Sequence, residues 1–182
     1  FINAVGYDLY TQMLQEAVAA KQGKQTKRFD SELDLQVEAY LPANYVADGP
    51  QKIDLYQRIR KATKEEQFAE ITDDLVDRFG DIPAAANRLL MVSRLKAIAD
   101  QVGVAQIKRT INQPMIVTIS FDKQAQITRE QVQQAMVTTK TRGQIKVNDP
   151  VLFAMAIQPK QTDDEWLQSL MQFLTALLPK KD

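Results

Sequence analysis

The runs Val104-Ala105-Gln106-Ile107-Lys108-Arg109-Thr110-Ile111 and Met115-Ile116-Val117-Thr118-Ile119-Ser120-Phe121 flank Asn112-Gln113-Pro114 and decide the reading of the fold. Both are rich in β-branched residues and the spacer suits a turn, so the pattern predicts a β-hairpin. Immediately before it, Gly103 closes a helical pattern that Pro83 opens, with Leu89, Leu90, Leu95, Ile98 and Val102 along it. Helices ahead of the hairpin and antiparallel-looking strands after it point to an α+β chain. The expected architecture is a small antiparallel or mixed sheet of short strands packed with several helices, preceded by a separate N-terminal helix.

Downstream, Thr128-Arg129-Glu130-Gln131 carries a capping-box signature and starts a short helix with Val132 and Met136. Gln144 to Asn148 and Val151 to Ile157 read as two more strands around Asp149-Pro150. Thr162-Asp163-Asp164-Glu165 caps a last helix bearing Trp166, Leu167, Leu170, Met171, Leu174, Leu177 and Leu178, ended by Pro179. This stripe is expected to be core, where burial contributes ~1.5–3 kcal/mol per large side chain.

Upstream, Thr63-Lys64-Glu65-Glu66 reads as a capping box, with Thr63 accepting from the N3 amide and Glu66 reaching back. The helix it opens places Phe68, Ile71, Leu75, Val76 and Phe79 on one face and stops at Gly80. Asp48-Gly49-Pro50 leads into a helix with Ile53, Tyr56 and Ile59. Leu33, Leu35, Val37, Ala39 and Leu41 alternate with Asp34, Gln36, Glu38 and Tyr40, the period of a half-buried strand, which Pro42 ends. At the start, Tyr7, Tyr10, Met13, Leu14, Ala17 and Val18 recur at helical spacing before Gly23. Lys21 to Arg28 is basic with nothing to bury and reads as a connector. The expected organisation is therefore a helix over 1–22, a linker over 23–31 and a domain over 32–182. Phe1 opens the chain inside an apolar stretch, as in a piece of a longer polypeptide.

Composition narrows the function. The chain has 182 residues, 45% of them hydrophobic, enough for a real core. Lys plus Arg and Asp plus Glu are both 23, which rules out a wholly basic nucleic-acid binder but not a local patch. With no Cys and no His, disulfides, Cys/His zinc sites and His-based catalytic pairs are excluded. No apolar run approaches the ~20 residues of a membrane span and no signal peptide opens the chain, so a cytoplasmic protein is expected. The six glycines lie far apart and form no phosphate-cradling motif. Asp73, Asp74 and Asp77 lack the alternating ligands and central Gly of a calcium loop. No catalytic residues, metal ligands or cofactor are expected in this chain.

The most informative feature is acidic. From Glu65 to Asp81 only Arg78 offsets Glu65, Glu66, Glu70, Asp73, Asp74, Asp77 and Asp81. With Phe68, Ile71, Leu75 and Phe79 inward, Glu66, Glu70, Asp73 and Asp77 form a ridge on the opposite side, flanked by Asp74. Like charges at i,i+4 destabilise a helix by ~0.2–0.5 kcal/mol per pair, and carboxylates near its C-terminus oppose the macrodipole. The pattern reads either as a solvated polar face or as a docking ridge for a basic partner.

Pro42, Tyr45, Asp48, Lys52, Tyr56, Arg58 and Ile59 match in type and spacing a pattern of the C-terminal domain of bacterial transcription-repair coupling factors, the Mfd family. Asp74-Leu75-Val76-Asp77-Arg78-Phe79-Gly80, with Pro83 after two more residues, resembles that family's Glu-Leu-Ile-Asp-Arg-Phe-Gly-x-x-Pro signature. Phe1 to Tyr10 resembles the end of a motif shared with RecG-type translocases, after which the family has a hook-like helix. The resemblance is good over 1–103, and the later order of elements is compatible with it. It implies a parent that is an ATP-driven translocase on double-stranded DNA, displaces stalled RNA polymerase and recruits nucleotide excision repair. ATP and Mg would belong to the motor upstream, not to this chain. The C-terminal domain would act as an autoinhibitory clamp on a UvrB-like module of the same chain, hiding the surface that binds UvrA. The resemblance maps that contact onto Asp74 and Asp77, with Asp73, Glu70 and Arg78 around them; Asp74 is one methylene shorter than the family's usual Glu. The alternative is an accessory nucleic-acid-binding domain using Lys108, Arg109, Lys123, Arg129, Lys140, Arg142 and Lys146, a basic region over 105–146 without interleaved aromatics.

Overall fold

A computed structural model describes residues 29–112, 114–148 and 150–179, so the expected 1–22 helix and most of the 23–31 linker lie outside the described residues. Among these are five helices and a five-stranded mixed sheet, an α+β fold. Helix α1 (Gly49–Lys61) starts at Asp48, whose carboxylate accepts from Gln51 N at 3.0 Å, with Pro50 in the first turn. Helix α2 (Glu65–Phe79) starts one residue later than the expected box. Gln67, not Glu66, reaches back: its Oε1 accepts from Thr63 N at 2.8 Å and Lys64 N at 3.0 Å. Starting the helix at Glu65 puts Gln67 at N3, the position from which a side chain meets the cap. Gly80 ends α2 at φ +86°. Helix α3 (Ala84–Val102) follows Pro83 and ends at Gly103, where φ is +98° and a Cβ would run into Ala125.

Three-residue β1 (Glu32–Asp34) pairs in parallel with β2 (Val104–Thr110), which forms the expected hairpin with β3 (Ile116–Phe121). A 3-10 turn (Lys123–Ala125) and helix α4 (Arg129–Thr139) lead to β4 (Gly143–Asn148), β5 (Val151–Ala156) and helix α5 (Asp163–Ala176). The strand order is β1-β2-β3-β5-β4, antiparallel beyond the first pair. Ile107, Ile119 and Phe153 lie side by side across the sheet and all are buried. Against them pack Leu95 and Ala99 of α3, Val132 of α4, and Trp166, Leu170 and Phe173 of α5. The Phe153 and Phe173 rings stack with centroids 4.7 Å apart.

A second, smaller core holds Leu41, Val46, Leu55, Ile59, Phe68, Ile71 and Leu75, with Ala86 and Leu90 from α3. Helix α3 serves both cores, turning Leu90 toward one and Leu95 toward the other. The strand expected over 33–41 is corrected: its ladder stops at Asp34, and Gln36 has φ +54°. Its alternation survives as burial of Leu35 and Leu41, while its backbone groups bond sideways to Arg109, Arg88, Ala85 and Tyr56. Alternation records which side is buried; a ladder also needs a neighbouring strand, and here the neighbours are arginines and a helix end. Phe29, Asp30 and Ser31 are tied to α3: Phe29 N donates to Asp100 O, Ser31 N to Asp100 Oδ1, and Lys96 Nζ lies 2.7 Å from Asp30.

Candidate functional site

Helix α2 positions the acidic ridge through its opposite side. Phe68, Ile71 and Leu75 are buried in the smaller core. At about 100° per residue, Glu66, Glu70, Asp73 and Asp77 then share an arc of about 60° facing away from it. All four are exposed, and among the described residues none has an ion-pair or hydrogen-bond partner. Val76, expected on the buried face, is 47% exposed, because it lies about 100° round the helix from Leu75. Ala69, one helical repeat of seven before it, is exposed too, so a narrow apolar margin runs beside the carboxylates.

Asp74 behaves differently from its neighbours. Its Oδ2 accepts from Arg58 Nη1 of α1 at 2.8 Å and lies 3.4 Å from Arg78 Nη1 one turn on. The bond from Arg58, followed by that from Arg78, outweighs partial desolvation and holds the Asp74 carboxyl below its usual range. Arg78 also lies over the Phe79 ring at 5.0 Å, and that ring is 5.7 Å from Tyr45. The Tyr45 hydroxyl donates to Gly80 O at 2.8 Å and is within 3.2 Å of Leu75 O; burial and then the Asp81 charge raise its pKa. The C-terminal end of α2 is thereby pinned to α1 and to the loop before it. At the other end, Arg94 of α3 lies 3.2 Å from Glu65 and 5.4 Å from the Phe68 ring centre.

Of the expected site residues, the ridge thus brings Glu70, Asp73 and Asp77 together and turns Asp74 and Arg78 toward each other. The Arg58–Asp74 pair joins residues 16 apart on different helices, and no spacing in the sequence signals it. Val76 and Ala69 were missed, although the helical angle of Val76 is readable from its position. The seven cations over 105–146 are spread over two strands, a 3-10 turn, a helix and the loop that follows it. Arg109 is 13% exposed, paired with Asp163 at 3.5 Å and stacked 5.1 Å over Trp166. Lys108 and Lys146 sit on strands, Lys123 in the 3-10 turn, and Arg129 and Lys140 at opposite ends of α4, about 16 Å apart at 1.5 Å per residue. Among the described residues no cluster of three or more acidic side chains is arranged to hold a metal ion. No helix there is long and apolar enough to cross a membrane.

Residues 35–132 match the family model described as the TRCF domain. A transcription-repair-coupling factor of Bacillus subtilis (strain 168) is 34% identical over 181 residues, 97% of this chain and 15% of the relative. One from Staphylococcus haemolyticus is 44% identical over 111 residues, 59% of this chain and 10% of the relative. The chain therefore spans a small part of the length of the curated relatives it matches. A crystal structure of the C-terminal domain of a transcription-repair coupling factor superposes with a TM-score of 0.77 at 29% identity, covering 84% of this chain and 94% of that one.

Proposed function

The chain belongs to the TRCF domain family, and from that premise we infer that it acts as a non-catalytic regulatory domain whose α2 ridge docks on a basic surface elsewhere in a longer protein. The observation that carries the reading is the ridge itself. Glu66, Glu70, Asp73 and Asp77 are held in one arc and have no partner among the described residues. Such a surface is costly for the isolated helix, where carboxylates repel one another and Asp77 sits near the negative end of the dipole. A basic partner reverses both terms. Charge complementarity of this kind sets register and excludes wrong partners.

In the full reading, the partner is the UvrB-like module of an ATP-driven DNA translocase that acts on stalled RNA polymerase, and docking hides the surface that binds UvrA. Closed and open states then exchange, and contacts made only in the closed state set their ratio. Asp73, Glu70 and Asp77 make the contact, while Asp74 and Arg78 act through α2 by fastening it to α1. Each ~1.4 kcal/mol removed from the closed state shifts the ratio tenfold. The test is Asp73→Asn with Asp77→Asn in the intact parent, reading UvrA binding and basal ATP turnover. Both are expected to rise, toward the level seen when residues 32–182 are deleted. A deletion that activates while the double variant stays inert would mean that the contact lies elsewhere in the domain. A deletion without effect would remove the clamp altogether.

A further inference from the structure

A second feature stands apart from the ridge. A cleft of about 380 Å³ opens where the end of α4 meets the start of β4, the end of β5 and the face of α5. Its lining includes Lys140, Thr141, Arg142, Gln161 and Ser169 over a floor to which Met155 contributes, and no carboxylate lines it. Arg58, Arg78, Arg88, Arg94 and Arg109 all lie within 3.5 Å of an acidic oxygen, whereas Arg60 and Arg129, on other parts of the surface, do not among the described residues. Lys140 and Arg142 have no such partner among the described residues.

Of the neutral groups of the cleft, Thr139 and Thr141 bond each other through their hydroxyls at 2.6 Å, while Ser169 and Gln161 keep free donors. Thr72, Ser93, Thr139 and Thr175 give their hydroxyl protons to the carbonyl four residues back in their helices. Ser169 does not, and it has no partner among the described residues. Gln161 Oε1 is occupied by Gln158 N at 3.0 Å, which leaves the Gln161 amide NH2 to donate. At the end of α4 the Lys140 amide donates to Met136 O and Val137 O and the Thr141 amide to Met136 O, so those carbonyls do not compete for a donor. Lys140 itself sits at φ +54°, where Gly or Asn would be the unstrained choice, and so holds a cation at the rim against a backbone preference.

A concave site with two unpaired cations, free hydroxyl and amide donors and no competing acid is complementary to an oxyanion. We propose that this cleft binds phosphate, with the Arg142 fork and the Lys140 ammonium supplying charge and Ser169 and Gln161 supplying neutral hydrogen bonds. No aromatic lines the cleft, so it has no platform for a base. The phosphate comes either from a small soluble ligand or from the backbone of a nucleic-acid strand touched without reading its sequence.

The experiment is a set of 15N-resolved NMR titrations of the whole chain with sodium pyrophosphate and with a short DNA duplex. The proposal expects saturable shifts centred on residues 139–142 and 169. Lys140→Gln with Arg142→Gln should weaken them at least tenfold, and Ser169→Ala should weaken them less, with amide dispersion unchanged in both. Arg129→Gln, at the far end of α4, should bind as the parent does. A duplex source shows a logarithmic salt slope of about −1.8 for two phosphates, whereas a small-ligand source shows pyrophosphate binding that duplex does not displace. The proposal is overturned if neither probe gives a saturable shift. It is equally overturned if Arg129→Gln costs as much as the cleft variant.

Discussion

The α1–α3 region and the corner formed by α4, β4 and β5 treat charge in opposite ways. In the first, Arg58, Arg78, Arg88, Arg94 and Lys96 each lie within 3.4 Å of a carboxylate, and Glu66, Glu70, Asp73 and Asp77 of α2 are left without such a partner among the described residues. In the second, Lys140 and Arg142 line a cleft without an acid. A formal net charge of zero therefore conceals an acidic surplus at one place and a basic surplus at another. Paired groups near a surface mostly orient side chains, since exposed ion pairs contribute about 0–1 kcal/mol. Unpaired groups of one sign, held together by a fold, create a local potential that a partner can use.

The two regions also have separate apolar cores that share α3, and that division can be tested most strongly. Phe173→Ala in the sheet core should cost about 3–5 kcal/mol, and Leu75→Ala in the smaller core about 2–5 kcal/mol. Because Leu90 and Leu95 tie the cores through one helix, urea unfolding of both variants should remain a single transition. Two resolved transitions would show that the ridge-bearing region unfolds on its own. Next in size is Gly143→Ala at the basic corner, where an added Cβ would meet Ala154 O and the Phe153 ring. Overpacking of this kind should cost about 1–3 kcal/mol, read as a lowered urea midpoint. An unchanged midpoint would mean that β4 can shift without loss.

The smallest effect concerns pH. The Asp74 carboxyl is held below its ordinary value by Arg58 first and then Arg78, against partial desolvation. Its contribution is therefore complete above the unfolded value of about 3.9 and is lost as pH falls through the lower folded value. Asp74→Asn should reduce stability by less than about 1 kcal/mol at pH 7 and leave a flatter stability profile below pH 4. Equal profiles for parent and variant would show that the pair is not formed in solution.

The parts legible in the sequence are those decided within a few residues. Thr128 with Gln131 and Thr162 with Glu165 form the capping boxes that their spacing predicts, and Gly103 adopts the left-handed turn expected of a helix end. The α+β class follows because hairpin, caps and helical periods are all local patterns. What was not legible depends on remote partners. The 33–41 run alternates as a strand should, yet only Leu33 and Asp34 of it find a strand beside them. Phe173 shares the buried side of α5 with Trp166 and Leu170, and its stacking on Phe153 is set by how α5 meets β5. The ridge was visible as charge spacing, whereas the pairing of the flanking Asp74 with Arg58 required a helix, α1, whose approach no local pattern encodes. The cleft was invisible for the same reason: Arg142 and Ser169 meet only through the packing of α5 against the end of β5.

The central claim is that the α2 ridge binds through charge while the fold stands without it. Its most direct test is to titrate the separately produced UvrB-like module with the parent chain and with the Asp73→Asn, Asp77→Asn variant, by calorimetry at low and high salt. The account expects the variant to bind at least tenfold more weakly at low salt, the difference to shrink at high salt, and its melting temperature to be equal or slightly higher. Equal affinity at low salt, with both proteins folded, would contradict it.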